Sequence, residues 1–264
     1  MEQILGKEWT ITPAGGSTGE AYYAKSEEKR LFLKRNSSPF IAVLSAEGIV
    51  PKLVWTKRLE NGDVITAQQW LEGRQLTQDE MKHERVAALL SKIHHSTELI
   101  DLFMRMGKKP LEPEMIMAKL KETHFNQRQV DTSLDIHKAL KYLQDKLPYV
   151  QHKNKVVCHC DVNHNNWLLA RNEQLYLIDW DNAMIADPAI DIGILLQKYV
   201  PRDEWASWLD RYGIHYDEDI LNRIKWYVIA QSVSFIQWHY ERNENKECTV
   251  WQNTLQKMLS KIEV

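Results

Sequence analysis

The N-terminal part of the chain alternates short apolar runs with polar turns, a pattern typical of β-strands. An Asn61-Gly62 pair between two of these runs predicts a tight hairpin turn. The runs that predict strands are Ala21–Ala24, Leu31–Lys34, Leu53–Thr56 and Val64–Leu71, and residues 39–47 predict a short helix. We therefore expect an antiparallel meander in this part of the molecule.

At Thr77 the hydrophobic period changes from that of a strand to that of a helix. Thr77 and Glu80 form a capping box, and apolar residues then recur three and four positions apart. These residues are Val86, Leu89, Leu90 and Ile93, and a second such stripe, Ile136, Leu140, Leu143 and Leu147, predicts a helix that ends at Pro148. Further helices are predicted over 204–212 and 219–242. Strands followed by helices predict an α+β fold of two lobes, residues 1–72 and 73–264.

Composition and charge place the chain among globular proteins and exclude several functions. Of 264 residues, 44% are hydrophobic and 27% charged, which excludes a disordered or fibrous chain. The 34 basic and 36 acidic residues leave a net charge of −2, so no global basic field would attract nucleic acid. No secretory signal or membrane-spanning apolar run is visible, and three cysteines are too few for a disulfide framework. We expect a cytoplasmic protein.

A polar stretch over residues 156–191 interrupts the helical part and carries the candidate chemistry. It contains His159, Asp161 and Asn166 in an H-x-D-x-x-x-x-N pattern, followed by a predicted hairpin of two short strands. The hairpin would bring Asp179 to the same end of the site as Asn166, where their oxygens would suit Mg²⁺. Asp161 would then face the hydroxyl group of an acceptor. Phosphoryl transfer needs such a carboxylate base, a metal site and a lysine on the phosphates, so this stretch favours a kinase.

Cysteine and histidine side chains in the same stretch raise a zinc site as an alternative. Cys158, His159, Cys160 and His164 are close in sequence, and these residue types suit zinc. However, a C-x-C pair on a strand points both thiols to one face with His159 opposite, and no second C-x-x-C pair exists. We therefore favour the kinase interpretation and expect the cysteines to be small core residues.

The N-terminal lobe carries residues that suit a nucleotide. Lys34 ends a predicted strand, where its ammonium group would reach the α- and β-phosphates, with Glu47 on the short helix as its carboxylate partner. A small-residue loop, which lacks the spacing of a Walker A motif, would offer backbone N–H groups to phosphate oxygens: Gly15, Gly16, Ser17, Thr18 and Gly19. The last strand of the lobe ends at Gln69, Trp70 and Leu71, where backbone groups would hydrogen-bond a nucleobase.

Taken together, these residues resemble the motifs of the aminoglycoside phosphotransferase and choline kinase superfamily, two-lobed small-molecule kinases with a protein-kinase-like fold. The matching positions are Lys34, His159-x-Asp161, Asn166, Ile178–Asp181, Asp187-Pro188, Asp191 and the helix segment Leu90–His94. The resemblance implies an N-terminal nucleotide-binding lobe, a C-terminal catalytic and substrate lobe, and the use of ATP and Mg²⁺.

The resemblance also implies roles for individual residues. Asp161 would be the catalytic base, Asn166 and Asp179 the Mg²⁺ ligands, and Lys34 the lysine that binds the phosphates. His159 would brace the catalytic loop, and Asp191 would hold that loop from the following helix. Asp181 is a further candidate for metal or substrate binding.

Two departures from the protein-kinase pattern bear on the substrate. No arginine follows His159, and no alanine-proline-glutamate segment follows Asp179, so we expect no activation-loop switch and no protein substrate. Cys160 stands where many members of the superfamily have glycine.

Within the superfamily, the chain is similar to a bacterial cell-cycle regulator. This similarity implies ribose or 2-deoxyribose as acceptor, and as partners the division-ring tubulin homologue and the initiator of chromosome replication, with recruitment to the division site. Aromatic side chains would stack on a sugar or base, box a quaternary ammonium group, or simply pack between helices: Trp180, Tyr199, Trp226, Trp238 and Tyr240. A choline- or aminoglycoside-type phosphotransferase and a docking protein with a kinase fold remain alternatives.

Overall fold

Five antiparallel strands form a sheet in the N-terminal part of the computed structural model, which describes residues 5–14, 20–37, 40–126 and 134–260. The strands are β1 (Thr10–Pro13), β2 (Ala21–Lys25), β3 (Arg30–Arg35), β4 (Leu53–Arg58) and β5 (Val64–Gln69). The four predicted strands and the hairpin around Asn61-Gly62 are confirmed.

The expected meander is wrong in one respect, because the strand order is β1-β2-β3-β5-β4. The short helix α1 (Ile41–Ala46), which confirms the predicted helix, lies between β3 and β4 in the chain. After α1 the chain does not pair next to β3. Instead, β4 forms the edge of the sheet, and β5 lies between β4 and β3 and pairs with both.

Alternation along β3 decides where its lysine points. Leu31 and Leu33 are buried in a small apolar cluster, whose other members are Ala24, Ile65 and Ala67. Because successive side chains of a strand point to opposite faces, Lys34 lies on the face away from this cluster. That face is turned toward the polar stretch of the C-terminal part, as the contacts of Lys34 show.

The C-terminal part consists mainly of helices. They are α2 (Glu84–His94), α3 (Thr97–Arg105), α4 (Pro113–Asn126), α5 (Leu134–Lys146), α6 (Ala189–Tyr199), α7 (Trp205–Tyr212), α8 (Glu218–Glu241) and α9 (Asn245–Leu259). Helix α8 packs against α4, α5, α6 and α9 and forms the centre of this part. Helix α7 ends, as expected, at Gly213, whose φ of +104° suits glycine.

The helix expected to start at Thr77 begins later, at Glu84. Glu80 does accept hydrogen bonds from the Thr77 N–H and hydroxyl, at 2.8 and 3.0 Å. These bonds close a 3₁₀ turn over Asp79–Lys82 rather than an α-helix. His83 then adopts an extended conformation, and its side chain caps α2.

Short strands frame the polar stretch. They are β6 (Gly73–Gln75), β7 (Val156–Cys158), β8 (Trp167–Ala170), β9 (Leu175–Leu177) and β10 (Met184–Ala186). The β8–β9 pair is the predicted hairpin, and β6 joins it at the start of the proposed second lobe. A Cβ atom on Gly73 would lie 2.5 Å from the Leu169 carbonyl oxygen, so the strand pairing there requires glycine. The division at residues 72 and 73 itself stays a prediction.

A single large apolar cluster fills the C-terminal part and accounts for many of the tryptophans. Trp167, Trp208 and Trp226 are each at most 1% exposed. Among the described residues, no helix combines the length and the apolar character that crossing a membrane requires.

Candidate active site

The loop that follows β7 is held by one buried carboxylate. Asp191, in the first turn of α6, accepts hydrogen bonds from the backbone N–H groups of His159 at 2.7 Å and Cys160 at 2.8 Å. Its Oδ2 atom also lies 3.1 Å from His94 Nε2, and His94 Nδ1 lies 2.6 Å from the hydroxyl of Tyr212. The side chains of Asp191 and His94 are fully buried. Asp191 therefore ties the loop to the helical core.

His159 links this loop to the strand that precedes Asp179. Its Nε2–H donates to the carbonyl oxygen of Ile178 at 2.9 Å, and its Nδ1 accepts from the N–H of Asp161 at 3.2 Å. Burial lowers the pKa of His159, so the ring is neutral and can both donate and accept. The ring also packs edge-on against Trp180, with centroids 4.8 Å apart.

Two residues of the site have left-handed backbone conformations. Cys160 has a φ of +63° and Asp179 a φ of +65°. Such values are costly for residues other than glycine. The hydrogen bond from Cys160 N–H to Asp191 offsets this cost and keeps the loop in place.

Asp161 and Asn166 are joined by a network within the loop. Asp161 Oδ1 accepts from Asn163 Nδ2 at 2.5 Å, and the Asp161 carbonyl accepts from Asn166 Nδ2 at 2.8 Å. The Ile178 N–H donates to the Asn166 carbonyl at 2.8 Å, so the hairpin brings Asn166 beside Asp179. With its amide nitrogen engaged, Asn166 has Oδ1 left for a ligand. That oxygen and the Asp179 carboxylate form a donor set that fits Mg²⁺.

Lys34 reaches across to the other side of this site. Its Nζ atom lies 3.0 Å from Asp179 Oδ1 and 2.8 Å from Asp181 Oδ2. Burial by itself would lower the pKa of Lys34, but the hydrogen bonds to Asp181 and Asp179 outweigh this effect and raise it. The ammonium group of Lys34 therefore contacts both Asp179 and Asp181, so Asp181 lies in the same site as Asp179.

Glu47 is not the partner of Lys34 in this structure. Its Oε1 atom accepts a hydrogen bond from the hydroxyl of Ser96 at 2.5 Å, and its carbonyl oxygen accepts one from Lys92. Glu47 lies at the C-terminal end of α1, and Ser96 caps α3, so the side chain ties α1 to the helical part. The expected pairing with Lys34 is replaced by the two aspartates.

The structure describes only some of the other residues that were predicted to contact a nucleotide. Gly15, Gly16, Ser17, Thr18 and Gly19 lie outside the described residues. At the end of β5, the N–H groups of Gln69 and Trp70 donate to the carbonyls of Lys52 and Arg30, so both serve the sheet rather than a ligand. Trp70 is 37% exposed and packs edge-on against Tyr23, while Leu71 is half-buried.

Two cavities lie near this loop, and the smaller one is lined by Asp161. The smaller, of about 40 Å³, is lined by Cys160, Asp161, Asn163, Gln231 and Phe235, among others. The larger, of about 290 Å³, lies between α6, α8 and α9. Ile194, Lys198 and Trp251 line both cavities, so the two are neighbours, and the smaller one lies beside the expected catalytic base.

The aromatic residues that line these cavities differ from those suggested by the sequence. Phe235 and Trp251 stack with their ring centroids 4.5 Å apart at an angle of 19°. Trp180 and Trp226 are buried at 4% and 0% exposure, and each donates its indole N–H to a backbone carbonyl. They are core residues, which was the alternative left open for them.

The remaining aromatic candidates also lie apart from the cavity linings. Trp238 is exposed and stacks with the guanidinium of Arg242, 3.8 Å from the ring centre, and Tyr240 is exposed as well. Tyr199 is buried and accepts a hydrogen bond from the His164 N–H at 3.1 Å, which braces the loop after Asp161. The sequence offered little signal for Phe235, Trp251, Lys198 and Gln231, since they lie in ordinary helical patterns on three different helices.

The zinc alternative finds no support among the described side chains. His94, Cys158 and Asp191 are the one His, Cys, Asp or Glu group of the described ranges whose ligand atoms lie close enough for a metal. His94 is hydrogen-bonded at both ring nitrogens, and both Asp191 oxygens accept backbone N–H groups. Burial raises the pKa of Cys158 well above its usual range, so its thiol stays protonated. This group stabilises the core.

The chain belongs to the phosphotransferase enzyme family, whose model matches residues 10–227. The family and fold define it as a small-molecule phosphotransferase, and the expected superfamily and bilobal α+β fold are confirmed.

Solved structures of such enzymes share this fold. The choline kinase LicA from Streptococcus pneumoniae is similar with a TM-score of 0.73 and 19% identity, over 98% of this chain and 96% of that one. Spectinomycin phosphotransferase in complex with ADP and spectinomycin gives a TM-score of 0.66 and 16% identity, over 97% and 93%. A choline/ethanolamine kinase family protein from Mesorhizobium loti gives 0.69 and 14%, over 100% and 90%.

Proposed function

We propose that this phosphotransferase uses ATP and Mg²⁺ and transfers the γ-phosphoryl group to a hydroxyl of a small molecule bound beside Asp161. The observation that carries the proposal is the series of hydrogen bonds that links Asp161 through Asn166 to the segment of Asp179, which contacts Lys34. Lys34 contacts Asp179 and Asp181, and Asp161 itself lines a cavity together with Gln231 and Phe235. Nucleotide use is supported by similar structures that hold ADP and AMP.

Each group has a step in the proposed reaction. The Asp161 carboxylate takes the proton of the acceptor hydroxyl, the oxygen bonds to the γ-phosphorus, and the bond from that phosphorus to the ADP oxygen breaks. Asn163 orients the Asp161 carboxylate through the 2.5 Å hydrogen bond to Oδ1. Lys34 provides positive charge for the phosphates. Asn166 and Asp179 would hold Mg²⁺, which neutralises phosphate charge when it is bound.

The acceptor proposed here is a sugar or nucleoside-like metabolite of the ribose or 2-deoxyribose class. Support comes from the resemblance to the cell-cycle regulator CcrZ and from the size of the cavity. The cavity of about 290 Å³, which shares three lining residues with the smaller one at Asp161, is just below the roughly 300–1,000 Å³ typical of small-molecule sites. The alternative, a choline- or aminoglycoside-type acceptor, is supported by the folds of similar structures named for those substrates.

The same resemblance supports a role in bacterial cell-cycle and replication-initiation control. In that role the enzyme would contact the division-ring tubulin homologue and the replication initiator and would be recruited to the division site. A purely docking function is less favoured, because a docking protein would not need Asp161, Asn166 and Asp179 together, and all three are present. Pull-down of the two partners by the purified protein, with the Asp161→Asn variant in parallel, separates docking from catalysis.

An acceptor screen tests the proposed activity. The purified protein is incubated with ATP and Mg²⁺ and, in separate reactions, ribose, 2-deoxyribose, nucleosides, choline and kanamycin. ADP formation is measured, and the product is identified by its added phosphate mass. We expect phosphorylated sugar or nucleoside. Phosphocholine as the sole product would establish the alternative acceptor class, and no product with any acceptor would contradict the phosphotransferase function in this form.

A further inference from the structure

Tyr212 ends a buried chain of hydrogen bonds that reaches the loop of the expected catalytic base. Its hydroxyl oxygen lies 2.6 Å from His94 Nδ1, and His94 Nε2 lies 3.1 Å from Asp191 Oδ2. Asp191 in turn accepts the backbone N–H groups of His159 and Cys160, the two residues directly before the base. The chain therefore runs from α7 through α2 to α6 and from there to the loop.

The members of this chain are kept from solvent. The side chains of His94 and Asp191 are fully buried, and Tyr212 is 3% exposed. Trp208, one turn earlier on α7, stacks on the Tyr212 ring with centroids 6.0 Å apart at an angle of 13°. Because a buried polar group that loses its partner cannot turn to bulk water, each of these hydrogen bonds depends on the next.

The chemistry at the two ends of the chain fixes the direction of donation. Asp191, as a carboxylate, has only acceptor atoms, so the hydrogen of its bond to His94 lies on Nε2. A neutral imidazole carries one N–H, so Nδ1 is then the acceptor and the Tyr212 hydroxyl donates to it. Burial raises the pKa of Tyr212, so the hydroxyl keeps the proton that it donates.

The opposite arrangement, with hydrogens on both nitrogens of His94, leaves a polar group unsatisfied. Nδ1–H would then donate to the Tyr212 oxygen, and the hydroxyl hydrogen of Tyr212 would need another acceptor. Within the described ranges, His94 is the one hydrogen-bond partner of this hydroxyl. Since a buried donor without a partner is costly, the contacts favour the neutral ring.

We propose that Tyr212 is a positioning residue of the phosphotransferase reaction. Its hydroxyl holds His94 in the tautomer with the hydrogen on Nε2, and His94 thereby keeps Asp191 on the loop that carries Asp161. The inference rests on the proposed function in taking Asp161 as the base. It goes beyond that function by giving catalysis a determinant on α7, whose residues line neither of the two cavities.

Tyr212→Phe removes this hydroxyl and keeps the ring that stacks on Trp208. His94 Nδ1 then becomes a buried acceptor without a partner. The ring can relieve this by rotating or by taking up a proton on Nδ1, and either change disturbs its bond to Asp191. The loop N–H groups that Asp191 holds should open more often as a result.

Four variants and three measurements test the proposal. The variants are Tyr212→Phe, His94→Leu, the two combined, and the control Tyr227→Phe. The Tyr227 hydroxyl is also buried, but among the described residues it has no hydrogen-bond partner, so its removal costs no such bond. Nitrogen NMR reports the tautomer of His94, hydrogen exchange reports the N–H groups of His159 and Cys160, and ADP formation with 2-deoxyribose gives kcat and KM for ATP.

We expect the native chain to carry the His94 hydrogen on Nε2 and none on Nδ1. Tyr212→Phe should lose this single form, and it should speed exchange of the two loop N–H groups and lower kcat, each at least about tenfold. KM for ATP should stay within about twofold, because the contacts of Lys34 are untouched. In the His94→Leu background, Tyr212→Phe should cost nothing further, and Tyr227→Phe should behave as the native chain.

Three results would overturn the proposal. They are a native His94 with its hydrogen on Nδ1, a folded Tyr212→Phe whose loop exchange equals that of Tyr227→Phe, and losses that simply add in the double variant. If Tyr212→Phe does not fold, the tautomer of the native chain decides. Failure of the proposed function looks different, because no acceptor then yields ADP even with the native chain, while the NMR and exchange results still decide the role of Tyr212.

Discussion

Lys34 Nζ lies 3.0 Å from Asp179 Oδ1, a contact between residues 145 positions apart in the chain. The same ammonium group lies 2.8 Å from Asp181 Oδ2. One positive charge from β3 thereby meets two carboxylates that follow β9, and we propose that the phosphates of a nucleotide bind at these three groups. Because Lys34 is mostly buried and hydrogen-bonded, its charge is fixed in position rather than diffuse.

Replacing Lys34 with methionine should weaken nucleotide use. The variant keeps the apolar stem on β3 but removes the charge that would neutralise the phosphates, so KM for ATP should rise at least about tenfold and kcat should fall. Initial rates at varied ATP concentrations check this expectation. Lys29→Met, at an exposed turn of the same sheet, is the control. An unchanged KM and kcat for ATP would remove Lys34 from the nucleotide site.

Replacing Asp161 with asparagine should remove the base but leave the fold intact. Asn keeps the size of the side chain, so the loop network should survive, while kcat should fall by about 10²–10⁴-fold. The fall is measured with the best acceptor of the screen at saturating ATP, and thermal unfolding is recorded for both proteins. Asp210→Asn, at an exposed position of α7, should keep full activity. A folded Asp161→Asn enzyme with native turnover would contradict the assignment.

The left-handed backbone at Cys160 predicts that this position tolerates glycine but not a β-branched residue. Cys160→Gly should be accepted, because glycine adopts a φ of +63° without strain, and the backbone bond to Asp191 does not depend on the side chain. The unfolding temperature should stay within about 4 °C of that of the native chain. Cys160→Val should lower both stability and kcat, because a β-branched side chain is strongly disfavoured at this φ. Equal loss in both variants would show that the thiol itself is required.

The pH dependence of stability should carry a contribution from Glu80. Hydrogen bonds from Arg74 and from the Thr77 N–H lower the pKa of Glu80 from 4.5 to about 2. A lowered pKa in the folded state means that the ionised carboxylate stabilises the protein fully above pH 4.5, and that this contribution is lost as the pH falls toward 2.

Urea unfolding of Glu80→Gln at several pH values checks this contribution. At pH 7 the variant should be less stable by about 0.5–1 kcal/mol, a small value because the ion pair with Arg74 is partly exposed. The difference should shrink steadily between pH 4.5 and 2. Glu60→Gln, an exposed carboxylate on the β4–β5 turn, should show no such dependence. A difference that is constant with pH would mean that Glu80 acts through its shape alone.

Sequence patterning predicted much of the fold because each of its signals is local. Strand alternation, the Asn61-Gly62 turn and the stop at Gly213 depend on residues only a few positions apart, and all three were confirmed. The strand order in the first sheet was missed, since local patterns do not specify which strands become neighbours. The start of α2 was also missed, because a capping box can close a 3₁₀ turn as readily as an α-helix.

For the site, the sequence by itself determined the chemical parts: the H-x-D-x-x-x-x-N pattern, the aspartate after β9 and a strand lysine. Only the tertiary structure decided that Lys34 meets Asp179 and Asp181 rather than Glu47. It also decided that Lys198, Phe235 and Trp251, from three helices, meet beside Asp161. The reason is physical. The residue types alone determine which chemical groups are present, but contacts between distant segments depend on how helices and sheets bury their apolar faces against each other.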